Sequence, residues 1–231
     1  MDVPKHLGII LDGNRRFAKR LMLEPWKGHE YGAEKVRKVL DWCREYGIKK
    51  VTLYSFSIKN FNRPKIEFDF LMDLFKKEFE SLENDKDLIE NGIKVRFIGR
   101  INMFPKDVYD VMQRVMEKTI NNSKFEVNFA MAYGGREELV DAITKISEKI
   151  NAGEIRPDQI SEDLISQNLG LKDNIDLVIR TSGEHRTSGF FIWQSDYAEY
   201  AFVDKFWPEF EKEDFVKILQ NYSERERRFG K

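Results

Sequence analysis

The stretch His6-Leu7-Gly8-Ile9-Ile10-Leu11-Asp12-Gly13-Asn14-Arg15-Arg16 decides how this chain reads. A short apolar run that breaks into a polar turn is the pattern of a buried strand. Where that strand ends, the turn carries a carboxylate, an amide and two guanidiniums. The same alternation continues outward. Apolar runs at 51–57, 94–98, 127–132, 176–180 and 201–203 read as further strands. Between them, 3.6-residue periodicity predicts helices over 32–46, 67–82, 106–121, 136–150, 162–168 and 213–227. Strands that alternate with helices argue for an α/β fold, a mainly parallel sheet covered by helices on both faces. In such sheets function gathers on the loops that follow the carboxyl ends of the strands.

Composition narrows the class. The 231 residues show no repeat, low-complexity tract or linker, so residues 1–231 read as a single domain. Lys and Arg number 39 against 40 Asp and Glu, a net charge of −1 that removes the global cationic field of a nucleic-acid binder. One cysteine, Cys43, excludes an internal disulfide and any multi-cysteine zinc site, and three histidines make a histidine-rich metal centre a poor reading. No apolar run reaches the roughly 18 residues of a membrane span, and residues 1–5 do not resemble a signal peptide. The expected compartment is the cytoplasm.

Three strand ends carry chemistry. Asp12, beside Gly13 and Asn14, suits a Mg²⁺ ion held against a diphosphate, since that ion takes carboxylate, water and phosphate oxygens. On this segment alone an Asp-Gly-Asn turn bonding its own backbone is the plainer reading. Gly28-His29, just ahead of a helix, offers either an anion site or a packed histidine. The segment Ser57 to Pro64 places Asn60, Phe61 and Arg63 on one extended loop, because a residue before proline is kept out of helix. The run Arg180-Thr181-Ser182-Gly183-Glu184-His185-Arg186-Thr187-Ser188 is the most informative. Two guanidinium forks and a hydroxyl match diphosphate oxygens, although Glu184 is a competing partner. A Walker-type loop and a dinucleotide glycine fingerprint are both absent.

Together these segments resemble the cis-prenyltransferases, the undecaprenyl and dehydrodolichyl diphosphate synthase family, along essentially the whole chain. The resemblance rests on 6–18, Gly28-His29, 54–64, Tyr133-Gly134-Gly135-Arg136, 180–188, 193–199 and the C-terminal 225–230. It implies a six-stranded parallel sheet with surrounding helices that encloses a hydrophobic prenyl tunnel. The implied reaction is repeated cis condensation of isopentenyl diphosphate onto an allylic diphosphate. Asp12 would bind Mg²⁺, with Gly13, Asn14 and Arg16 completing the allylic phosphate site, and His29 would assist the departing diphosphate. Ser57, Asn60, Phe61 and Arg63 would align the two substrates. Arg180, Arg186 and Ser188 would hold isopentenyl diphosphate, and Glu199 matches a second metal-associated carboxylate. Arg228 and Gly230 match a tail that reaches the neighbouring subunit's site, which implies a homodimer, with peripheral membrane contact through the lipid product. The apolar side of 67–82, namely Phe68, Leu71, Leu74, Phe75 and Phe79, is the expected tunnel wall, although ordinary helix-on-sheet packing explains any one of these side chains.

Three departures from the bacterial pattern stand out. Gly189 replaces an Asn. Ile58-Lys59-Asn60-Phe61 replaces Ser-Glu-Asn-Trp and is similar to the archaeal and eukaryotic branch, which suggests a geranylgeranyl primer. Pro25 stands where an arginine is usual, leaving Lys19 or Lys27 to supply that contact. Two alternatives stay open: prenyl transfer to a hydroxyl acceptor, and a non-catalytic partner subunit. The retained arginines disfavour the first, and the retained Asp12 disfavours the second.

Overall fold

The computed structural model describes residues 1–225. Its strands are β1 (His6–Ile10), β2 (Lys50–Ser57), β3 (Ile93–Ile98), β4 (Phe125–Tyr133), β5 (Leu177–Arg180) and β6 (Glu199–Phe202). They form one sheet in the order β3-β4-β2-β1-β5-β6, and every pairing is parallel. The helices are α1 (Asn14–Arg20), α2 (Gly28–Glu45), α3 (Lys65–Glu83), α4 (Lys86–Glu90), α5 (Lys106–Thr119), α6 (Gly135–Asn151), α7 (Glu162–Asn168) and α8 (Lys212–Glu224).

The period-two alternation of the strands separates two cores. Leu7, Ile9, Val51, Leu53, Phe97, Phe129 and Ile179 face α2, α3, α5 and α8, and pack with Val39, Leu71, Val111 and Phe215. Ile10, Ile98, Ala130 and Val178 face the other way, against Leu171, Ile175, Phe190 and Phe191. Because both faces are covered, the strands read as apolar runs and not as alternating ones.

Strand order also fixes where a ligand can enter. β1 is paired with β2 on one side and β5 on the other; β2, β4 and β3 lie to one side of it, and after β4 the chain crosses to the other side to form β5 and β6. The carboxyl ends of β1 and β5 therefore flank the crevice where a parallel sheet reverses its winding, the usual ligand position in this architecture. Asp12 follows β1 and Arg180 ends β5.

The main difference from the sequence expectation lies just after β1. Residues expected to form only a polar turn make the two-turn helix α1, and α2 starts at Gly28, four residues earlier than its periodicity suggests. Glycine is a poor helix former, which hides this start. The structure supplies the reason for it. A Cβ on Gly28 would sit 2.0 Å from the Asn14 carbonyl oxygen, and one on Gly32 would sit 2.4 Å from Asn14 Oδ1. The two glycines, one turn apart, let α1 lie directly against α2. The last strand is likewise displaced, at Glu199–Phe202 instead of 201–203.

Candidate active site

Asp12 sits at the centre of a guanidinium cluster. Arg180, with only 4% of its side chain exposed, donates from Nη2 to Asp12 Oδ2 at 2.7 Å, and Arg16 reaches Oδ1 at 3.4 Å. Burial alone would raise the Asp12 pKa. The hydrogen bond and charge of Arg180, then the charge of Arg16, outweigh it and hold the carboxyl below its ordinary range. Gly13, at φ 107°, makes the turn from β1 into α1, and a Cβ there would lie 2.9 Å from Phe206.

The β5 loop folds around the same cluster. Arg180 Nη1 donates to Ser188 Oγ at 2.8 Å and to the Arg186 carbonyl, and Thr181 Oγ1 donates to the Asp12 carbonyl at 2.7 Å. Arg16 donates to Ser182 Oγ and, at 3.2 Å, to Glu184 Oε1, while Arg186 pairs with the other Glu184 oxygen. Ser182 and Ser188 hold φ at 79° and 53°, the left-handed region that costs an L-residue energy. Strain of this kind concentrates where a loop is shaped around a ligand.

A second cluster lies across the crevice. Arg63 Nη1 donates to His29 Nε2 at 3.1 Å and to Glu67 Oε1 at 2.8 Å, and Arg15 approaches Glu67 Oε2 at 3.4 Å. Burial, followed by the charges of Arg63 and Arg15, pushes the His29 pKa down to about 3. The ring is therefore neutral, and because guanidinium only donates, its proton resides on Nδ1.

Two cavities meet between these clusters. The first is a polar mouth of about 310 Å³, lined by Asp12, Gly13, Asn14, Arg15, Arg16, Lys19, His29 and Arg63. The second, of about 280 Å³, shares Asp12, Asn14, His29 and Arg63 and adds Ser57, Asn60 and Arg180. It then runs between α2 and α3 along Ala33, Val36, Leu40, Leu74, Phe75, Phe79 and Leu82, with Phe129 from the sheet. Arg37 and Glu78 line it too and pair across the two helices at 2.9 Å. A charged mouth that opens onto an apolar channel fits a diphosphate head carrying a hydrocarbon tail.

The chain matches the Prenyltransf family of undecaprenyl diphosphate synthases over residues 10–230. It belongs to the cis-prenyltransferase family. One relative, from Methanocaldococcus jannaschii, is a tritrans,polycis-undecaprenyl-diphosphate synthase (geranylgeranyl-diphosphate specific), 49% identical over 100% of this chain and 84% of its own length. An isoprenyl transferase from Thermus thermophilus is 46% identical over 99% of this chain and 89% of that protein. Among solved structures, lavandulyl diphosphate synthase from Lavandula x intermedia, in complex with dimethylallyl diphosphate, superposes with a TM-score of 0.94 at 34% identity, covering 99% of each chain. The chain is thus a prenyltransferase with the fold of its family.

Within this cis-prenyltransferase, Asp12, Gly13, Asn14, Arg16, His29, Ser57, Asn60, Arg63, Arg180 and Ser188 converge on the crevice. Four readings need correction or refinement. Phe61 lines neither cavity and packs among Phe56, Phe68 and Phe104, since the loop tucks its aromatic side into the core. Arg186 turns its guanidinium to Glu184 and joins the site through its carbonyl. Glu199 opens β6, in register with Leu177 and hence level with Leu7, and pairs with Arg225, so it lies toward the other end of the strands from Asp12, which follows the carboxyl end of β1. Of the expected wall, Leu74, Phe75 and Phe79 line the channel, whereas Leu71 is in the core and Phe68 packs on Phe61.

Asn60 has a local duty as well, its Oδ1 accepting from the Ser57 backbone N–H at 2.9 Å. Of the two lysines considered in place of the missing arginine, Lys19 lines the mouth and Lys27 lies in the turn before α2. Arg228 and Gly230 lie outside the described residues. The α2 wall, Ala33, Val36 and Leu40, went unrecognised because its spacing is that of any helix packed on a sheet. Arg15 and Glu67 also went unassigned, and only their meeting in space identifies them.

No group of three or more His, Cys, Asp or Glu side chains gathers to hold a metal among the described residues. The donor set is instead one carboxylate, Asp12, in a mouth sized for phosphate. That fits a hydrated Mg²⁺, which takes one or two carboxylates and completes its shell from phosphate and water.

Proposed function

We propose that this prenyltransferase elongates geranylgeranyl diphosphate with successive isopentenyl diphosphate units to a long-chain, cis polyprenyl diphosphate of the carrier-lipid type. The observation that carries this reading is the polar mouth at Asp12 opening directly onto the apolar channel between α2 and α3. The primer follows from the geranylgeranyl-specific relative at 49% identity.

In this mechanism Arg16, Arg15 and Lys19 bind the allylic diphosphate in the mouth, and Arg180 and Ser188 bind the isopentenyl diphosphate. Asp12 would hold Mg²⁺, which supplies charge stabilisation as the diphosphate departs. The guanidiniums are already in place for that developing charge and need no reorganisation. Neutral His29 offers its Nδ1–H to a phosphate oxygen. The channel takes the growing tail, whose burial is worth about 0.8 kcal/mol per CH₂. Removing divalent metal with a chelator abolishes turnover, and Mg²⁺ restores it.

A second reading is a single condensation of short allylic diphosphates, favoured by the likeness to lavandulyl diphosphate synthase. Comparing kcat/KM for C5, C10, C15 and C20 allylic diphosphates with labelled isopentenyl diphosphate separates the two. Preference for C20 supports elongation, and preference for C5 with one product supports the second reading.

The proposal includes a homodimer. β6 is an edge strand among the described residues and carries the exposed Phe202, a surface suited to a second copy. No helix of the described residues is long and apolar enough to cross a membrane. We place the protein in the cytoplasm, touching membrane through its product.

A further inference from the structure

We propose that Glu67 is a positioning residue that, through Arg63, fixes which nitrogen of His29 carries the proton. This rests on the reading of the crevice as a diphosphate site, and it concerns a carboxylate that no part of the mechanism above employs.

Glu67 occupies the first turn of α3, where a carboxylate favourably meets the helix N-terminus. A surface glutamate would provide that effect while exposed. Here only 2% of the side chain is exposed, and burying a charge is costly unless it is paired. Both oxygens are used: Oε1 accepts from Arg63 at 2.8 Å, and Oε2 lies 3.4 Å from Arg15. The two cations come from different elements, the loop after β2 and helix α1, so one carboxylate ties both to α3.

Arg63 Nη1 carries two protons, one directed to Glu67 and the other to His29 Nε2 at 3.1 Å. A guanidinium has no acceptor, so this contact exists only when Nε2 is unprotonated. The carboxylate therefore orients the guanidinium, and the guanidinium selects the tautomer with hydrogen on Nδ1. That is the nitrogen left to donate toward the cavity that the ring lines. The logic parallels the buried carboxylate that sets a catalytic histidine's tautomer in hydrolases, with an arginine interposed. Low basicity of the ring agrees with it: burial first, then the charges of Arg63 and Arg15, disfavour the imidazolium.

The test is ¹⁵N NMR of the imidazoles in the full chain, which has only three histidines, combined with steady-state kinetics. The wild type shows His29 neutral and protonated on Nδ1. In Glu67→Gln that signal moves toward the mixture of tautomers seen in a free imidazole, and kcat falls about 10–100-fold by the precedent of residues that orient metal-bound histidines. KM for isopentenyl diphosphate changes little. Glu67→Asp, which keeps the charge, restores part of both readouts and also serves if the glutamine variant fails to fold. An unchanged His29 tautomer in a folded Glu67 variant overturns the proposal, as does a loss confined to thermal stability and KM. The NMR readout needs no substrate, so a chain that fails to elongate would sink the functional reading and leave this one still decidable.

Discussion

Asp12 and His29 sit on opposite sides of one crevice, and their surroundings push them toward complementary roles. Asp12 is kept ionised by Arg180 and Arg16, whereas His29 is kept neutral by burial beside Arg63 and Arg15. Asp12→Asn retains the shape but loses the charge that would hold a divalent cation. Turnover falls by about 10²–10³ relative to wild type, measured with saturating Mg²⁺ and both substrates. The histidines also predict how stability responds to acid. The His29 pKa lies at about 3 and that of His6, buried against Thr52, at about 4, both below the ordinary value of 6.5. Below pH 6.5 the unfolded chain takes up protons that the folded chain refuses, so stability falls as pH drops from 6.5 toward 4. Each histidine steepens that fall by up to about 1.4 kcal/mol per pH unit. Urea denaturation at pH 7 and pH 5 checks this: His29→Gln loses less stability over the interval than wild type, and equal losses would contradict it.

Helices α2 and α3 leave the crevice side by side and form the two walls of the apolar channel. Ala33 is the smallest side chain on the α2 wall. Ala33→Phe fills the channel near its mouth and shortens the products by several isoprene units, read by chromatography of the extracted prenols. Gly32→Ala places a methyl 2.4 Å from Asn14 Oδ1 and 3.1 Å from Trp207, in a contact with little room to give. Overpacking of this kind costs about 1–3 kcal/mol, read as a lowered denaturation midpoint. These elements also show what the sequence discloses. The strands and the long helices announce themselves through period and apolar content, and the arginines of 180–188 through their grouping with a hydroxyl where a strand ends. Hidden are features defined only by contact. Gly28 looks like a residue ahead of a helix until Asn14 is seen against it. Glu67 looks like a surface residue of a helix's first turn until Arg63 and Arg15 converge on it. Phe61 looks exposed on its loop until the core claims its ring.

The whole molecule is organised around the reversal of strand order at β1 and β5. Both segments proposed to bind phosphate hang from that point, the first from Asp12 and the second from Arg180, and the channel descends from it along a single face of the sheet. With a net charge of −1, the attraction for anionic substrate is local to this crevice and not a property of the surface at large. The edge strand β6 lies one strand beyond β5, so a second copy bound there would adjoin the β5 loop. Sedimentation equilibrium is expected to show a dimer, and a strict monomer at micromolar concentration would refute that part of the account. Processive growth into the channel ties the mouth, the channel and the product together. Its most direct test is to supply geranylgeranyl diphosphate, labelled isopentenyl diphosphate and Mg²⁺, then determine product lengths and the geometry of the new double bonds. A series of intermediates ending in one long product, with every added double bond cis, is the predicted result. A single addition, or trans double bonds, would contradict it.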